Sequence, residues 1–275
     1  MPELPEVETT RRGIAPLVEG QQIRQLIVRN PNLRWRLELP ASLQGQTIVR
    51  ISRRAKYLLF ELTSGYLIIH LGMSGNLRVL PAGSAFLKHD HVAWQLSGGG
   101  ELRLNDPRRF GSVHWHVGEP EEHWLLSQLG VEPLSNEFNG PYLKACARRR
   151  RAVVKNFIMD AHIVVGVGNI YANEALFLAG IRPSVRANRI SLSGYERLSS
   201  AIRQVLSQAI EMGGTTLRNF VKQDGNPGYF KQSLNVYGRQ DQPCRRCEAP
   251  LTGTRIGQRA TVYCRNCQRA QGFGR

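Results

Sequence analysis

The sequence predicts an α+β protein with more than one domain. Residues from about 22 to 115 favour short strands, residues 125–215 favour helices, and four of the five cysteines lie close to the C-terminus. A chain of 275 residues fits two or three domains better than one compact core. We therefore predict a strand-rich domain over 1–117, a mainly helical domain over 125–230 and a cysteine-rich module over 236–275.

A helix is expected to open the chain. Pro5 suits a first helical turn because the N–H that it lacks would have no partner there. Val7, Ile14 and Leu17 recur at near-helical spacing and predict a buried stripe. Gly20 is expected to end the helix.

Two hairpins are predicted in the strand-rich part. In each, two segments that favour strands flank a short segment of Thr, Ser and Gly residues. The paired runs are 57–62 with 66–70, and 91–96 with 101–104. Many short strands separated by turn signals favour a β-sandwich or a barrel.

The middle of the chain changes character. The acidic segment 118–122 is typical of a linker, and the clearest amphipathic helix is predicted over 195–212, ended by Gly213 and Gly214. Residues 224–228, Asp-Gly-Asn-Pro-Gly, are typical of a loop.

The charge of the chain points to a polyanionic partner. Lys and Arg number 37 against 21 Asp and Glu, which gives a net charge of +16. No apolar run approaches the roughly 18 residues that a membrane span requires, and the N-terminus lacks the apolar segment of a secretory signal. A cytoplasmic location and a nucleic-acid partner are therefore expected.

The cysteine spacing predicts one structural zinc ion. Cys244 and Cys247 form one C-x-x-C pair, and Cys264 and Cys267 form a second, sixteen residues later. Two such pairs match a tetrahedral four-cysteine zinc site, although a redox pair or an iron–sulfur centre stays possible on spacing alone. Four thiolates leave no position for water, so the zinc is expected to stabilise the fold and take no part in catalysis. Cys146 has no partner in this pattern.

The N-terminal dipeptide is a candidate nucleophile. Removal of Met1 would expose a secondary amine on Pro2, and a protein α-amine has a pKa of about 8 where lysine has about 10.4. Such an amine is partly uncharged at neutral pH and can attack a carbon at the aldehyde level. Glu3 lies beside it and could move protons. A simple start of a helix is the alternative that the residues alone leave open.

Several segments resemble one family, the bacterial formamidopyrimidine-DNA glycosylases. The resemblance covers nearly the whole chain and keeps the order of the motifs. The matching segments are PELPEVETTRRG (2–13), RRAKYL (53–58), HLGMSG (70–75), KHDHV (88–92), DPRRFG (106–111), VVGVGNIYANE (164–174), QDGNPGYF (223–230), VYGR (236–239) and QRATVYC (258–264).

The resemblance implies an N-terminal β-sandwich led by a helix, a helix–two-turns–helix domain and a four-cysteine zinc finger, with DNA bound between the lobes. It implies base-excision repair of damaged double-stranded DNA by a monomer. The implied reaction is removal of 8-oxoguanine and formamidopyrimidines, followed by β- and δ-elimination at the abasic site. In a bacterium this activity would be associated with the nucleoid.

Four catalytic roles are implied by the matching positions. Pro2 resembles the Schiff-base nucleophile, and Glu3 resembles the acid–base residue. Lys56 resembles a phosphate-binding lysine that donates a proton during β-elimination. Arg259 resembles the zinc-finger arginine that binds phosphate and assists δ-elimination.

DNA contacts are implied in the same way. His89, Arg108 and Arg150 resemble DNA-binding positions, and Arg150 lies in a run of four arginines where the alignment can shift by one residue. Met73, Arg108 and Phe110 resemble the residues that fill the gap left by an extruded nucleotide. The alternative for Met73 and Phe110 is that they are core residues at strand ends.

Residues 166–171 contain a Gly-Val-Gly-Asn motif. A dinucleotide-binding loop is disfavoured, because Tyr171 occupies the position of the third glycine. The resemblance implies instead that Asn169 contacts DNA phosphate at the start of a helix. It also implies that the loop 215–229 closes over the extruded base.

Two other functions remain open on the sequence. The endonuclease VIII branch prefers oxidised pyrimidines, and PELPEVET and DPRRFG argue against it. A non-enzymatic zinc-ribbon DNA-binding protein would share the basic charge and the cysteines. Pro2 with Glu3 argues against that, because a binding module needs no free N-terminal amine.

Overall fold

A computed structural model of the protein describes residues 2–213 and 234–269. The chain forms two compact units. The first extends to Gln128 and the second begins at Leu129 and includes residues 234–269. The predicted loop 215–229 lies outside the described residues. Within those described ranges, none of the helices combines the length and the apolar character needed to cross a lipid bilayer.

The first unit is a β-sandwich preceded by a helix. Its elements are α1 (Leu4–Val18), β1 (Ile23–Val28), β2 (Ile48–Arg54), β3 (Tyr57–Leu62), β4 (Gly65–His70), β5 (Asn76–Pro81), β6 (Asp90–Leu96), β7 (Gly100–Asn105) and β8 (Ser112–His116). One antiparallel sheet has the order β1-β6-β7-β5 and the other has the order β2-β3-β4-β8. Both predicted hairpins, β3–β4 and β6–β7, are confirmed.

The two sheets enclose one apolar core. Alternate residues of each strand point inward, as a half-buried antiparallel sheet requires. Phe60 of β3, Ile69 of β4 and Trp94 of β6 are each at most 1% exposed within this core. Of the two architectures that the strand pattern favoured, the sandwich is the correct one.

Helix α1 packs against this sandwich through a face that differs from the predicted stripe at one position. Val7 and Ile14 are buried, but Leu17 is 43% exposed and Val18 is fully buried in its place. At about 100° per residue, Val18 lies on the line of Val7 and Ile14, whereas Leu17 lies about 80° away from Val7. Gly20 follows the helix with a φ of +78°, a conformation that suits glycine.

The second unit is mainly helical. It contains α2 (Gly140–Ala147), α3 (Val154–Ile158), α4 (Asn169–Leu178) and α5 (Leu192–Glu211), followed by the hairpin β9 (Thr252–Ile256) and β10 (Arg259–Tyr263). The amphipathic helix predicted over 195–212 is confirmed by α5, whose buried face packs against α2 and α4. The hairpin lies between the two cysteine pairs.

Candidate catalytic and nucleic-acid-binding sites

The predicted nucleophile lies directly before α1. Pro2 is buried and Glu3 is the N-cap residue, with only 2% of its surface exposed. The Glu6 carboxylate accepts a hydrogen bond of 2.8 Å from the Glu3 N–H, and the Glu3 carboxylate caps the first turn in return. This reciprocal capping fixes the Glu3 carboxylate at the first turn of α1, one residue after Pro2.

An ion cluster ties α1 to strand β2. The Glu8 carboxylate accepts hydrogen bonds from Arg11 and Arg12, both at 2.8 Å, and from Arg53 of β2 at 3.3 Å. Burial raises the pKa of Glu8, but the hydrogen bonds from Arg11 and Arg12 and the positive charges of Arg11 and Arg53 together hold it below its ordinary value. Glu8 therefore stays ionised and fixes the start of the chain against the sheet.

Lys56 lies in the two-residue turn between β2 and β3. The preceding Ala55 has a left-handed φ of 55°, and its carbonyl accepts a hydrogen bond of 2.8 Å from Arg53. The same arginine therefore contacts Glu8 of α1 and the turn that carries Lys56. Through Arg53, the structure connects the predicted lysine to the N-terminal helix.

His70, at the end of β4, is a residue of this region that the sequence did not single out. Burial lowers its pKa to about 4, and the positive charges of Lys56 and Arg34 act in the same direction. Its Nδ1 accepts the Gly72 N–H at 3.1 Å, so a neutral imidazole suits the site. Only the pairing of β3 with β4 brings it close to Lys56.

We expect His70 to make the stability of the protein pH-dependent. A histidine with a folded pKa of about 4 and an unfolded value of 6.5 stabilises the folded state fully above pH 6.5. This contribution is lost as the pH falls from 6.5 to 4, because the unfolded chain then binds the proton more readily. The loss is up to about 3 kcal/mol.

Urea unfolding of the wild type and of His70→Gln at pH 7.5 and pH 5 measures this contribution. The free energy of unfolding of the variant should fall less between the two pH values. His114 and His123 also have lowered pKa values, and they titrate in both proteins and cancel in the comparison. Equal decreases in the two proteins would contradict the expectation.

Two loops of the first unit carry the predicted gap-filling residues. Met73 lies between β4 and β5 and is 37% exposed, and Phe110 lies between β7 and β8 and is 45% exposed. The Arg108 guanidinium carbon lies 4.9 Å from the centre of the Phe110 ring. Neither apolar side chain is a core residue at a strand end. Two exposed apolar side chains and one cation therefore lie at the surface of these loops.

His89 lines a basic groove of the same unit. The groove follows the connection between β5 and β6 and is lined by Arg29, Lys88, His89 and Arg109, among others. Asp90, fully buried, anchors this connection by accepting hydrogen bonds from Asn105 and from the Leu87 N–H. Cationic side chains therefore outnumber the one carboxylate, Asp90, in the lining of this groove.

The four cysteines predicted as ligands lie together in the second unit. Their sulfur atoms all fall within 4.8 Å of one another, with Cys244 to Cys267 at 3.9 Å and Cys247 to Cys264 at 3.5 Å. A tetrahedral zinc with Zn–S bonds of about 2.3 Å requires sulfur atoms roughly 3.8 Å apart. Backbone N–H groups point at two of the sulfurs, from Arg246 and from Cys267. The residues fit one structural zinc.

Asn169 contacts strand β10 at the residue that follows Arg259. Asn169 begins α4, and its side-chain amide donates to the Ala260 carbonyl at 3.1 Å. Arg259 is the first residue of β10 and is exposed. The structure thus places the two predicted DNA contacts next to each other, although 90 residues separate them in the sequence.

Lys155 is a buried cation beside them that the sequence did not single out. It is fully buried, and its ammonium donates to the Ala260 carbonyl at 2.9 Å and to Thr261 Oγ1 at 2.6 Å. Asn173 accepts the Val262 N–H at 2.9 Å. These bonds fix the hairpin against α3 and α4.

Arg150 is the predicted contact that the structure does not distinguish from its neighbours. All four arginines of 148–151 are exposed at the end of α2. Their backbone is ordered by hydrogen bonds of Arg150 with Ala147 and Asn188. Each of the four can present its guanidinium to a phosphate.

Three models of known domain families match successive parts of the chain. Residues 1–113 match the formamidopyrimidine-DNA glycosylase N-terminal domain, residues 129–221 match its H2TH domain, and residues 241–270 match the zinc finger found in FPG and IleRS. The formamidopyrimidine-DNA glycosylases of Alkalilimnicola ehrlichii and Marinobacter nauticus are 56% and 57% identical to this chain. In both cases the match covers 98% of this chain and 100% of the relative.

Solved structures agree in fold. The MutM (Fpg) protein of Thermus thermophilus is 40% identical, with a TM-score of 0.88 over 97% of this chain and 98% of that one. The Lactococcus lactis Fpg in complex with DNA containing an abasic site is 33% identical, with a TM-score of 0.89 over 97% and 99%. With three family domains in order and relatives of more than half identity over their full length, the chain belongs to the formamidopyrimidine-DNA glycosylase family of base-excision repair enzymes.

Proposed function

We propose that this chain excises oxidised purines, namely 8-oxoguanine and formamidopyrimidines, from double-stranded DNA and then cuts the strand by β,δ-elimination. The observation that carries the proposal is the start of the chain. Pro2 is buried next to a buried carboxyl group, Glu3, which the first turn of α1 holds in place. A protein that only bound DNA would use Glu3 to cap α1 but would need no free amine at Pro2.

The reaction follows from an amine beside a carboxyl group. After removal of Met1, the lone pair of the Pro2 nitrogen attacks C1′ of the damaged nucleotide, and the electrons of the glycosidic bond leave with the base. The Pro2 nitrogen then loses its proton, which the departing base takes up. Glu3, in its acid form, donates a proton to O4′, so that the C1′–O4′ bond breaks, the sugar ring opens and an iminium forms between the nitrogen and C1′.

Strand cleavage is the second part of the proposed reaction. The iminium acidifies the C2′ protons, and loss of one of them expels the 3′ phosphate. A further elimination then expels the 5′ phosphate. Lys56 would bind phosphate and donate a proton in the first elimination, and Arg259 would hold the phosphate that leaves in the second.

The remaining predicted residues would bind the DNA. His89, Arg150 and Asn169 would contact phosphates, because each presents a donor at an exposed turn or at the start of a helix. Met73, Arg108 and Phe110 would occupy the space that the extruded nucleotide leaves. These exposed side chains provide two apolar groups and one donor for the unpaired base.

Four further proposals concern the domains, the zinc ligands, the oligomeric state and the location of the protein. We place the domain boundaries at 1–117, 125–230 and 236–275, with Cys244, Cys247, Cys264 and Cys267 as the ligands of one zinc ion. We also propose that the protein acts as a monomer in the cytoplasm, at the nucleoid. Sedimentation at micromolar concentration, with and without DNA, tests whether the protein is a monomer.

Borohydride trapping tests the proposed reaction. The substrate is a duplex with one 8-oxoguanine opposite cytosine, and mass spectrometry maps the adduct. We expect one reduced cross-link, on Pro2. A cross-link on a lysine would contradict the role of Pro2. A much faster reaction with an oxidised pyrimidine would favour the endonuclease VIII specificity instead.

Arg259→Gln should separate the two eliminations. Without the guanidinium at the start of β10, the variant should stop after β-elimination and leave a 3′ unsaturated aldehyde in place of a 3′ phosphate. The loss of one phosphate contact should also lower the salt dependence of DNA binding by about one unit of the logarithmic slope. Gel analysis of the 3′ ends and titrations at several salt concentrations measure both effects.

Arg255→Gln is the matched control for this variant. Arg255 is exposed on β9 of the same hairpin, so the variant loses the same charge from the same module. It should still complete δ-elimination. Equal loss of the 3′ phosphate product in both variants would attribute the effect to overall charge and would contradict the role of Arg259.

A further inference from the structure

A buried carboxylate joins the two loops that carry the gap-filling residues. Asp106 follows β7 and is fully buried. Its Oδ1 accepts the Ser74 hydroxyl at 2.6 Å, and its Oδ2 accepts the Gly111 N–H at 2.7 Å. Oδ1 also accepts the Arg108 N–H at 3.3 Å. One side chain therefore bonds to the residue after Met73, to Arg108 itself and to the residue after Phe110.

Ser74 provides a second link between the same loops. It is 2% exposed, and its hydroxyl oxygen accepts the Arg108 N–H at 3.1 Å while the hydroxyl proton is donated to Asp106. The hydroxyl thus both donates and accepts across the junction of the loops. Buried hydrogen bonds to a carboxylate are stronger than bonds between neutral groups.

The backbones of the loops are also in direct contact. Gly72 has a φ of +62°, and a Cβ at this position would lie 2.4 Å from the Phe110 carbonyl carbon and 2.4 Å from the Gly111 nitrogen. A Cβ on Gly111 would lie 2.9 Å from the His70 carbonyl oxygen. Only glycine fits at such distances, so residues 71–75 and 106–111 form a single closely packed junction.

Three exposed side chains project from this junction. Met73, Arg108 and Phe110 each lie within one residue of a group that Asp106 or Ser74 binds. Between the last two, Arg109 has a left-handed φ of 56°, and its N–H donates to the Asp106 carbonyl at 3.2 Å. The backbone on both sides of the exposed side chains is therefore fixed.

We propose that Asp106 and Ser74 are positioning residues for nucleotide extrusion. They hold the two loops as one preformed wedge, so that Met73, Arg108 and Phe110 enter the DNA together without first being ordered. This inference rests on the proposed role of those three side chains. Ordering mobile loops during binding costs free energy, and a wedge that is already ordered avoids that cost.

Ser74→Ala tests the proposal, since it removes one hydroxyl and keeps the loops free of new groups. The substrates are a duplex with 8-oxoguanine opposite cytosine and a single-stranded oligonucleotide with an abasic site, in which no gap has to be filled. We expect single-turnover excision on the duplex to fall about tenfold to a hundredfold, with borohydride trapping of the single strand unchanged. Asp106→Asn should give the same pattern.

Ser112→Ala is the matched control. Ser112 is 1% exposed, and among the described residues its hydroxyl has no hydrogen-bond partner. Removal of this hydroxyl should change neither excision on the duplex nor trapping of the single strand. Ser74→Ala loses one buried hydrogen bond to a carboxylate, so its melting temperature should fall a few degrees below that of this control while the protein stays folded. The test therefore does not depend on whether Asp106→Asn folds.

Met73→Ala separates the inference from the function on which it rests. Loss on the duplex alone in both Met73→Ala and Ser74→Ala supports the inference. If Met73→Ala loses excision on the duplex and Ser74→Ala does not, the positioning role is overturned. The proposed gap-filling role of the exposed side chains then still stands. A duplex-specific loss in neither variant overturns both. Equal losses of Ser74→Ala on the two substrates would show a general structural role and would also overturn the inference.

Discussion

A chain with an uncleaved residue in front of Pro2 should bind DNA and fail to cut it. The added peptide bond converts the secondary amine into an amide, whose nitrogen has no lone pair available for attack on C1′. Loss of a covalent nucleophile typically removes several orders of magnitude of rate, so we expect strand cleavage to fall by at least about a thousandfold. No adduct should form with borohydride.

Binding should persist in the same protein. The positive charge of the chain and the groove around His89 do not depend on the N-terminal amine. Affinity for a lesion duplex should therefore keep its dependence on salt concentration. The control carries the same added residues at the C-terminus and should cut DNA normally. Normal turnover by the N-terminally extended protein, with its extra residue verified by mass, would exclude Pro2 as the nucleophile.

Removal of zinc should unfold the C-terminal module and leave the helices in place. The small core of the module is formed by Val236, Leu251, Val262 and two of the ligands, Cys244 and Cys264, packed against Phe177 of α4. So few side chains cannot hold the hairpin without the metal, and metal binding supplies most of its folding free energy. Helices α2 and α4 both pack on α5, and these helices should keep the far-UV circular dichroism signal.

Three readouts follow from chelation of the zinc-loaded protein. Zinc analysis should give one ion per chain before treatment, and reactive thiols should rise towards five as the four ligands are released. Affinity for DNA should fall by about a hundredfold or more, since Arg259 and its neighbours lose their fixed positions. Cys146→Ser is the matched control, because Cys146 lies outside the ligand cluster, and it should still hold one zinc. A protein that keeps its affinity without zinc would contradict the expectation.

The Asp106 junction and the zinc module show where prediction from sequence succeeds and fails. Each cysteine pair is a local feature, because two cysteines separated by two residues can bind the same metal ion. The role of Asp106 depends on Ser74, 32 positions away in the chain. A buried aspartate that joins two loops has no signature in residue spacing. It becomes visible only when the strand order puts both loops at the same place.

The same distinction holds for buried and exposed residues. The turn segments at 63–65 and 97–100 predicted both hairpins, because Gly and Ser residues favour turns whatever the surrounding fold. The exposure of Leu17 and of Met73 could not be read from their apolar character. It depends on which surface the rest of the chain covers. Lys155 is the reverse case, a charged residue buried by its bonds to β10.

The sequence by itself determined the secondary structure pattern, the zinc ligands and, through its resemblance to known motifs, the family. These features depend on neighbouring residues, on fixed spacing or on motifs preserved in order. The tertiary structure decided which of two β architectures forms, which charged groups are buried, and that Asn169 meets the Arg259 strand. The physical reason is that burial and hydrogen bonding join groups far apart in the chain, and only the packed sheets and helices bring them within bonding distance.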